Sequence, residues 1–263
     1  FSDKFKSGEN HLEINSVIDF PIGQELMYSE ISFELLNGKF ENDFFQTDNL
    51  TYTYFNIGFS PNFEVLRDNL TVNIGARLYY SITNNFEGSK FFIYPNVTAS
   101  YNISEEALIA YAGVVGDLQQ NSYKNFVQEN PFVSPTLYIQ RSNQQYNAYV
   151  GLKGLLNSKI RFNLKAAYIN EENKALFKLN PSLTDGSNEV DKGYEAANSF
   201  QVVYDDVNTI YFNAEIIFDL FKEFKFGGNI DFNSYSLKNE DHAWNLPLLK
   251  ATLLAKYTRK KWS

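Results

Sequence analysis

The chain has 263 residues, and 23 Lys and Arg against 31 Asp and Glu leave it with a net charge of −8. That balance excludes general nucleic-acid binding, which needs a basic face to displace counterions. With no cysteine, disulfide frameworks, thiolate zinc sites and cysteine nucleophiles are excluded too.

Only His11 and His242 offer imidazole, so a metal site would have to be built from oxygen ligands. Aromatic residues reach 17% of the chain while mean hydropathy is −0.35. No stretch approaches the ~18 apolar residues that a membrane helix requires. A membrane strand is a different matter, because only every second residue of it must be apolar.

Period-2 alternation runs along almost the whole chain. It is weak over 11–20, 26–35 and 50–59, and cleanest over Leu70–Ile82. There Leu70, Val72, Ile74, Ala76, Leu78, Tyr80 and Ile82 oppose Thr71, Asn73, Gly75, Arg77, Tyr79 and Ser81. Weaker versions follow over 91–101, 107–117 and 145–154. Lys159–Ile169, Thr209–Asp219 and Phe224–Asn233 are clear, and 248–257 closes the series. This predicts about eleven strands of ~9–12 residues, the length of a tilted membrane strand, where globular strands average ~5–6. Phe200–Asp206 fits either an extension of the Thr209 strand, with a bulge at Asp205-Asp206, or a separate strand.

The connections alternate in length. Pro21–Gln24, Asn102–Glu105, Leu156–Ser158 and Phe221–Lys222 are short, and Ser60–Asp68 is somewhat longer. Asn37–Asp48, Thr83–Lys90, Gln119–Gln144, Asn170–Ser199 and Lys238–Leu246 are long. Short turns on one rim and long loops on the other predict an all-β, antiparallel transmembrane barrel with its long loops extracellular. A soluble sandwich gives no reason for that segregation. Aromatics near strand ends, namely Tyr52, Tyr54, Phe59, Tyr79, Tyr80, Phe91, Phe92, Tyr94, Tyr101, Tyr168, Phe224 and Tyr257, are expected in interfacial girdles.

Parity then assigns faces. The charged residues expected to face the lumen are Glu30, Glu34, Arg77, Lys153, Arg161, Lys165, Glu215 and Asp231, with Glu13, Asp19, Lys225, Lys250 and Lys256 on the same parity. Acids dominate the first two strands and bases dominate from Arg77 to Lys165. Such a division either sets a field across the lumen or braces neighbouring strands through ion pairs.

Catalytic signatures are missing: the sequence has no GxSxG, Walker, HExxH or GxGxxG motif. His242, after Glu240-Asp241, reads as a solvated loop residue. Glu171, Glu172, Asp185, Glu189, Asp191 and Glu195 read as a solvated loop surface without calcium-loop spacing. No catalytic residue, metal or cofactor is expected.

Several runs resemble the barrel region of TonB-dependent-receptor-like outer-membrane proteins of Bacteroidota. They are Phe1–Phe5 with Gly8–His11, Phe91–Thr98, Gln120–Tyr123 with Glu129–Thr136, Val202–Asp206 and Ala243–Pro247. The resemblance implies that residues 1–263 are a transmembrane barrel region, incomplete at both ends, within a wall of ~14–22 strands. Lys260-Lys261-Trp262 would then sit in a turn feeding a further strand. No plug-domain or TonB-box-like sequence lies in this chain, so energised uptake is not carried over. The expected role is transport, or a barrel subunit of an outer-membrane complex. Expected partners are outer-membrane lipid and lipopolysaccharide, other outer-membrane proteins or surface lipoproteins, and no nucleic acid. A passive porin-like channel, an outer-membrane hydrolase using His242 or His11, and a soluble carbohydrate-binding β protein are the alternatives.

Overall fold

The computed structural model describes every residue except 23–24, 46–47, 86–87, 105–106, 185–191, 222 and 259–263. The Lys260-Lys261-Trp262 turn and the acids Asp185, Glu189 and Asp191 therefore lie outside the described residues.

Eleven strands form one sheet: β1 (Gly8–Ile22), β2 (Glu25–Phe40), β3 (Leu50–Arg67), β4 (Leu70–Thr83), β5 (Lys90–Ser104), β6 (Leu108–Gln120), β7 (Arg141–Asn157), β8 (Ile160–Leu179), β9 (Phe200–Phe221), β10 (Phe224–Leu237) and β11 (Leu249–Tyr257). Each strand pairs antiparallel with its neighbours in sequence. β1 and β11 are the two edges, and among the described residues they do not pair with each other. The α-helix α1 (Tyr123–Glu129) interrupts the pattern between β6 and β7.

The strands alternate because each residue must satisfy one of two environments. Glu13, Glu34, Asn56, Ser81 and Lys90 stand in one row across β1 to β5. One residue further along, Ile14, Phe33, Ile57, Tyr80 and Phe91 form the matching row on the opposite face. The second face is apolar and open, with Ile74 54% exposed and Ile93 66%. Since the pleat period is 2, a slip of one residue would exchange the two faces entirely. Register is thereby strongly specified.

Connections alternate as expected. Residues 23–24, 68–69, 105–107, 158–159 and 222–223 are the short ones; 41–49, 84–89, 121–140, 180–199 and 238–248 are the long ones. The strands run 9 to 22 residues, and all but β11 are longer than the alternation suggested. Ser60–Asp68 is not a connection: β3 continues to Arg67 and pairs through Ser60 and Pro61 with β2. The ladder from β3 to β4 breaks between Phe59 and Asn62, where Pro61 has no N–H to give. Asn170–Leu179 also belongs to a strand, and Phe200–Asp206 is the continuous upper part of β9. The irregularity sits on β8, between Glu171 and Lys174, rather than at Asp205-Asp206. Consequently Glu171 and Glu172 are strand residues. Glu171 is buried against the Lys174 ammonium at 2.6 Å, and Glu172 accepts from Asn143 at 2.7 Å.

A buried apolar cluster lies on the polar side of the sheet, at the end where the long connections emerge. It joins Leu36 and Phe40 of β2, Tyr52 and Tyr54 of β3, Phe177 of β8 and Val202 of β9 to Tyr123, Phe126, Val133, Leu137 and Ile139. The last five come from residues 121–140, which fold back over the sheet instead of projecting from it. One segment touching β2 and β3 on one flank and β8 and β9 on the other means that the sheet curls around it. Tyr52, Tyr54, Tyr79, Phe92 and Tyr94 are therefore inner-face residues and not girdle residues, as their register with Gly38, Leu36, Gly58 and Arg77 requires. Tyr80, Phe91 and Tyr101 do stand on the open apolar face.

At the same rim the 238–248 connection folds onto β8 and β9. Asp205 accepts the backbone N–H groups of Asn239 and Glu240 at 2.9 and 2.7 Å. Glu240 in turn accepts from Lys178 Nζ at 2.9 Å and from Trp244 Nε1 at 2.7 Å. The Lys178 hydrogen bond, then the Trp244 one, hold the Glu240 carboxyl below the usual glutamate range.

Two outcomes are expected. Arg in place of Ile74 should impair membrane assembly far more than Arg in place of Asn73, by about 2–4 kcal/mol at mid-bilayer and less toward the interfaces. Heat-modifiable gel mobility of the two variants checks this, and equal tolerance would reverse the face assignment. For Glu240, a lowered carboxyl pKa stabilises the docked loop above the ordinary glutamate value of about 4.3 and is lost as pH falls below it. With every tryptophan but Trp244 replaced by Phe, Trp244 fluorescence should hold steady from neutral pH to about pH 5 and change below about pH 4. Glu240→Gln should remove that transition.

Candidate functional site

The polar face gathers its charges into two sectors. In the first, β1 to β4 and β6 enclose a chamber of about 260 Å³, the lining of which includes Glu13, Glu30, Glu34, Arg77, Tyr79 and Asp117. Arg77 reaches across β5 to Asp117 at 3.1 Å and donates to the Gly116 carbonyl at 3.0 Å. The Tyr79 hydroxyl donates to the same carboxylate at 2.8 Å. Glu34 sits 2.8 Å from His11 Nε2 and accepts from Asn56 Nδ2 at 2.9 Å. Asn56 also reaches Gln120 at 3.2 Å and accepts from Ser81. Glu30 stands opposite Ser60, two rows deeper on the same face. Four carboxylates against one guanidinium give this chamber an acidic character.

The second sector lies on β6 to β10, toward the short-connection end. Lys153, Asn163, Arg161 and Glu215 share a depression of about 380 Å³. Arg161 and Lys225 each stand 3.2 Å from an Asp219 oxygen. Lys153 lies over the Tyr111 ring at 5.7 Å and Lys165 over the Tyr149 ring at 4.3 Å, both as cation–π contacts. Those two rings lie across glycines. Tyr111 is paired with Gly151 and Tyr149 with Gly113, and a Cβ on either glycine would come within 2.6 Å of the facing ring. Glycine here is a demand of packing. Asp231 accepts from the Tyr211 hydroxyl at 2.7 Å, from Asn213 at 2.8 Å and from Asn229 at 2.9 Å.

All eight charged residues singled out by parity thus stand on the polar face. Glu30, Glu34 and Arg77 come together in the chamber, and Lys153, Arg161 and Glu215 in the second depression. Lys165 and Asp231 belong to separate contacts on the same face. Arg77–Asp117 and Arg161–Asp219 brace the sheet as ion pairs.

Three participants escaped the alternation pattern. Asp117 shares the parity of Tyr111 and Gly113 but falls at the end of the strand that alternation suggested. Glu9 shares the parity of His11 and Glu13, one pair of residues ahead of the expected strand. Its carboxylate is 3% exposed and accepts from the backbone N–H of Tyr123 at 2.7 Å, from that of Lys124 at 3.1 Å and from the Tyr52 hydroxyl at 2.7 Å. It therefore serves the first turn of α1, where free N–H groups and the helix dipole favour an anion. The third is the 121–140 segment itself, the composition of which gives no sign that it turns inward.

His242 packs edge-on against Trp244 in the 238–248 connection. Among the described residues, no group of three or more His, Cys, Asp or Glu is arranged to hold a metal ion.

No protein-family model matches the sequence, and no curated protein matches it. Solved structures do. The pyoverdine outer membrane receptor FpvA of Pseudomonas aeruginosa, bound to pyoverdine, superposes with a TM-score of 0.59 at 14% identity, over 97% of this chain and 39% of its own. The copper transporter OprC gives 0.63 at 12% identity over 97% and 42%. The alcaligin outer membrane receptor FauA of Bordetella pertussis gives 0.55 at 11% over 97% and 44%. The chain spans about two-fifths of the length of these structures. At such identities the likeness concerns the fold, and the fold is that of an antiparallel outer-membrane β barrel.

Proposed function

We propose that this chain forms part of the wall of a TonB-dependent-receptor-like outer-membrane barrel that works in transport, and that it is not an enzyme. The observation that carries this reading is the two-sided sheet: a continuous apolar face for lipid and lipopolysaccharide, and a charged face that lines the lumen. Glu30, Glu34, Arg77, Lys153, Arg161, Lys165, Glu215 and Asp231 are the lumen charges. Further strands pair with β1 and β11, since an open edge in hydrocarbon costs several kcal/mol for each unsatisfied backbone group. The long connections lie outside the cell, where other outer-membrane proteins or surface lipoproteins can reach them. The similar structures include receptors for pyoverdine and alcaligin and a copper transporter, so metal chelates are the first solutes to try.

The test is made in cells. Loss of the protein should lower uptake of a metal chelate too large for general porins. Arg77→Glu, which sets a second carboxylate beside Asp117, should lower the same uptake about tenfold with heat-modifiable mobility intact. Unchanged uptake, together with lost assembly of another outer-membrane protein, would replace transport with a role as barrel subunit.

A further inference from the structure

We infer that residues 121–140 are a latched cap, which closes the chamber from the long-connection side in the resting protein. The inference rests on the barrel reading above and concerns what that reading leaves open, the state of the mouth.

The register fixes the vertical order. Phe40 with Leu50 forms the row nearest the rim, followed by Glu9, Gly38 and Tyr52, and then by His11, Leu36 and Tyr54. Glu13, Glu34 and Asn56, then Asn15, Ser32 and Gly58, and then Glu30 with Ser60 lie successively deeper. The cap packs on the first three rows and the chamber is built from the next three, so the cap stands directly between the chamber and the rim.

The cap is held from both flanks. On one, the Glu9 carboxylate takes the first two N–H groups of α1, and the Tyr54 hydroxyl donates to the Ile139 carbonyl at 2.9 Å. On the other, Ser134 N–H donates to the Phe200 carbonyl at 2.8 Å and Phe200 N–H to the Phe132 carbonyl at 2.9 Å. The Tyr123 hydroxyl donates to Asp3 at 2.7 Å; burial, then that carboxylate, push this phenol well above its ordinary range and keep it a donor. Tyr54, Ser122, Ser134 and Leu137 are almost wholly hidden from solvent. A segment of surface loop has no need of such anchoring.

The two kinds of anchor differ in what releases them. The apolar contacts and backbone bonds are distributed, whereas one carboxylate carries three hydrogen bonds at the Glu9 end. Glu9 is the latch. Losing one charge-assisted hydrogen bond there corresponds to about a tenfold gain in the open population.

The chain has no cysteine, so one introduced into it can report on access once any cysteine elsewhere in the full-length protein is replaced by Ser. Ser32→Cys places a thiol in the chamber lining, and Asp241→Cys places one on the exposed 238–248 connection as a control. Cells carrying the full-length protein are treated with a membrane-impermeant cationic thiosulfonate. Chamber labelling should be slow in the parent and about tenfold faster with Glu9→Gln. Because Gln120 pairs with Arg141, residues 121–140 can also be replaced by a two-residue turn joining β6 to β7. That variant should label faster still, with rim labelling unchanged throughout. Equal chamber labelling with and without the cap, in protein that keeps its heat-modifiable mobility, would overturn the inference. Failure of the barrel reading shows separately, as protein extracted without detergent and without heat modifiability.

Discussion

A polypeptide crossing hydrocarbon must find a partner for every N–H and C=O it brings in, because no water is there to serve. In this chain the obligation is met by a ladder that pairs the strands in order from β1 to β11, and most other features follow from it. Neighbours in sequence are neighbours in space, so links of two or three residues suffice at one rim. The strands can run long, since each added pair satisfies its own backbone. Side chains are released from the task of holding the sheet together and can divide by parity between the two faces. The edges are where the obligation stays open on the described residues.

That division explains where the apolar core of the protein sits. A soluble sheet buries its apolar face and leaves its polar face to water. Here the apolar face is the open one, and the buried cluster forms on the other side, only where residues 121–140 supply a second layer. Leu36, Phe40, Tyr52 and Tyr54 are apolar intruders on an otherwise polar parity, and each lies beneath the cap. Away from it, the same face returns to Glu, Asn, Ser, Arg and Lys, with tyrosines that hold their hydroxyls against Asp117, Asn163 and Asp231.

Much of this was legible in the amino-acid order because alternation is a local signal. Leu70–Ile82 carries its own face assignment, and so do Thr209–Asp219 and Phe224–Asn233. The eight charged positions follow from parity alone. Local signals fail where a remote partner decides. Pro61 reads as a turn, yet β2 holds it in a strand. Glu171 and Glu172 read as a wet loop, yet the ladder to β9 carries them upward. The tyrosines at 52 and 54 read as girdle residues because nothing nearby reveals that a segment some seventy positions later will cover them. Glu9 looks like one more acid before a strand, and its role appears only when the α1 N-terminus arrives over it. Asp117, at the margin of its expected strand, is drawn into the chamber by Arg77, forty positions earlier and across β5.

The cap also bears on how the molecule comes together. Its anchors are Glu9 near the start of the sheet and Phe200 well past its middle, so docking closes loops of more than a hundred residues on one flank and some sixty on the other. Ladder pairing between successive strands is by contrast local, and closing short loops costs little entropy. The sheet can therefore zip in order while 121–140 waits, and the segment finds both anchors only after β8 and β9 have formed and the wall has taken its curvature. A sheet that is flat, or slipped by one pair, would present one anchor and withhold the other. In this way a single internal segment acts as a gauge of tertiary shape, its burial completed only in a wall that has bent correctly.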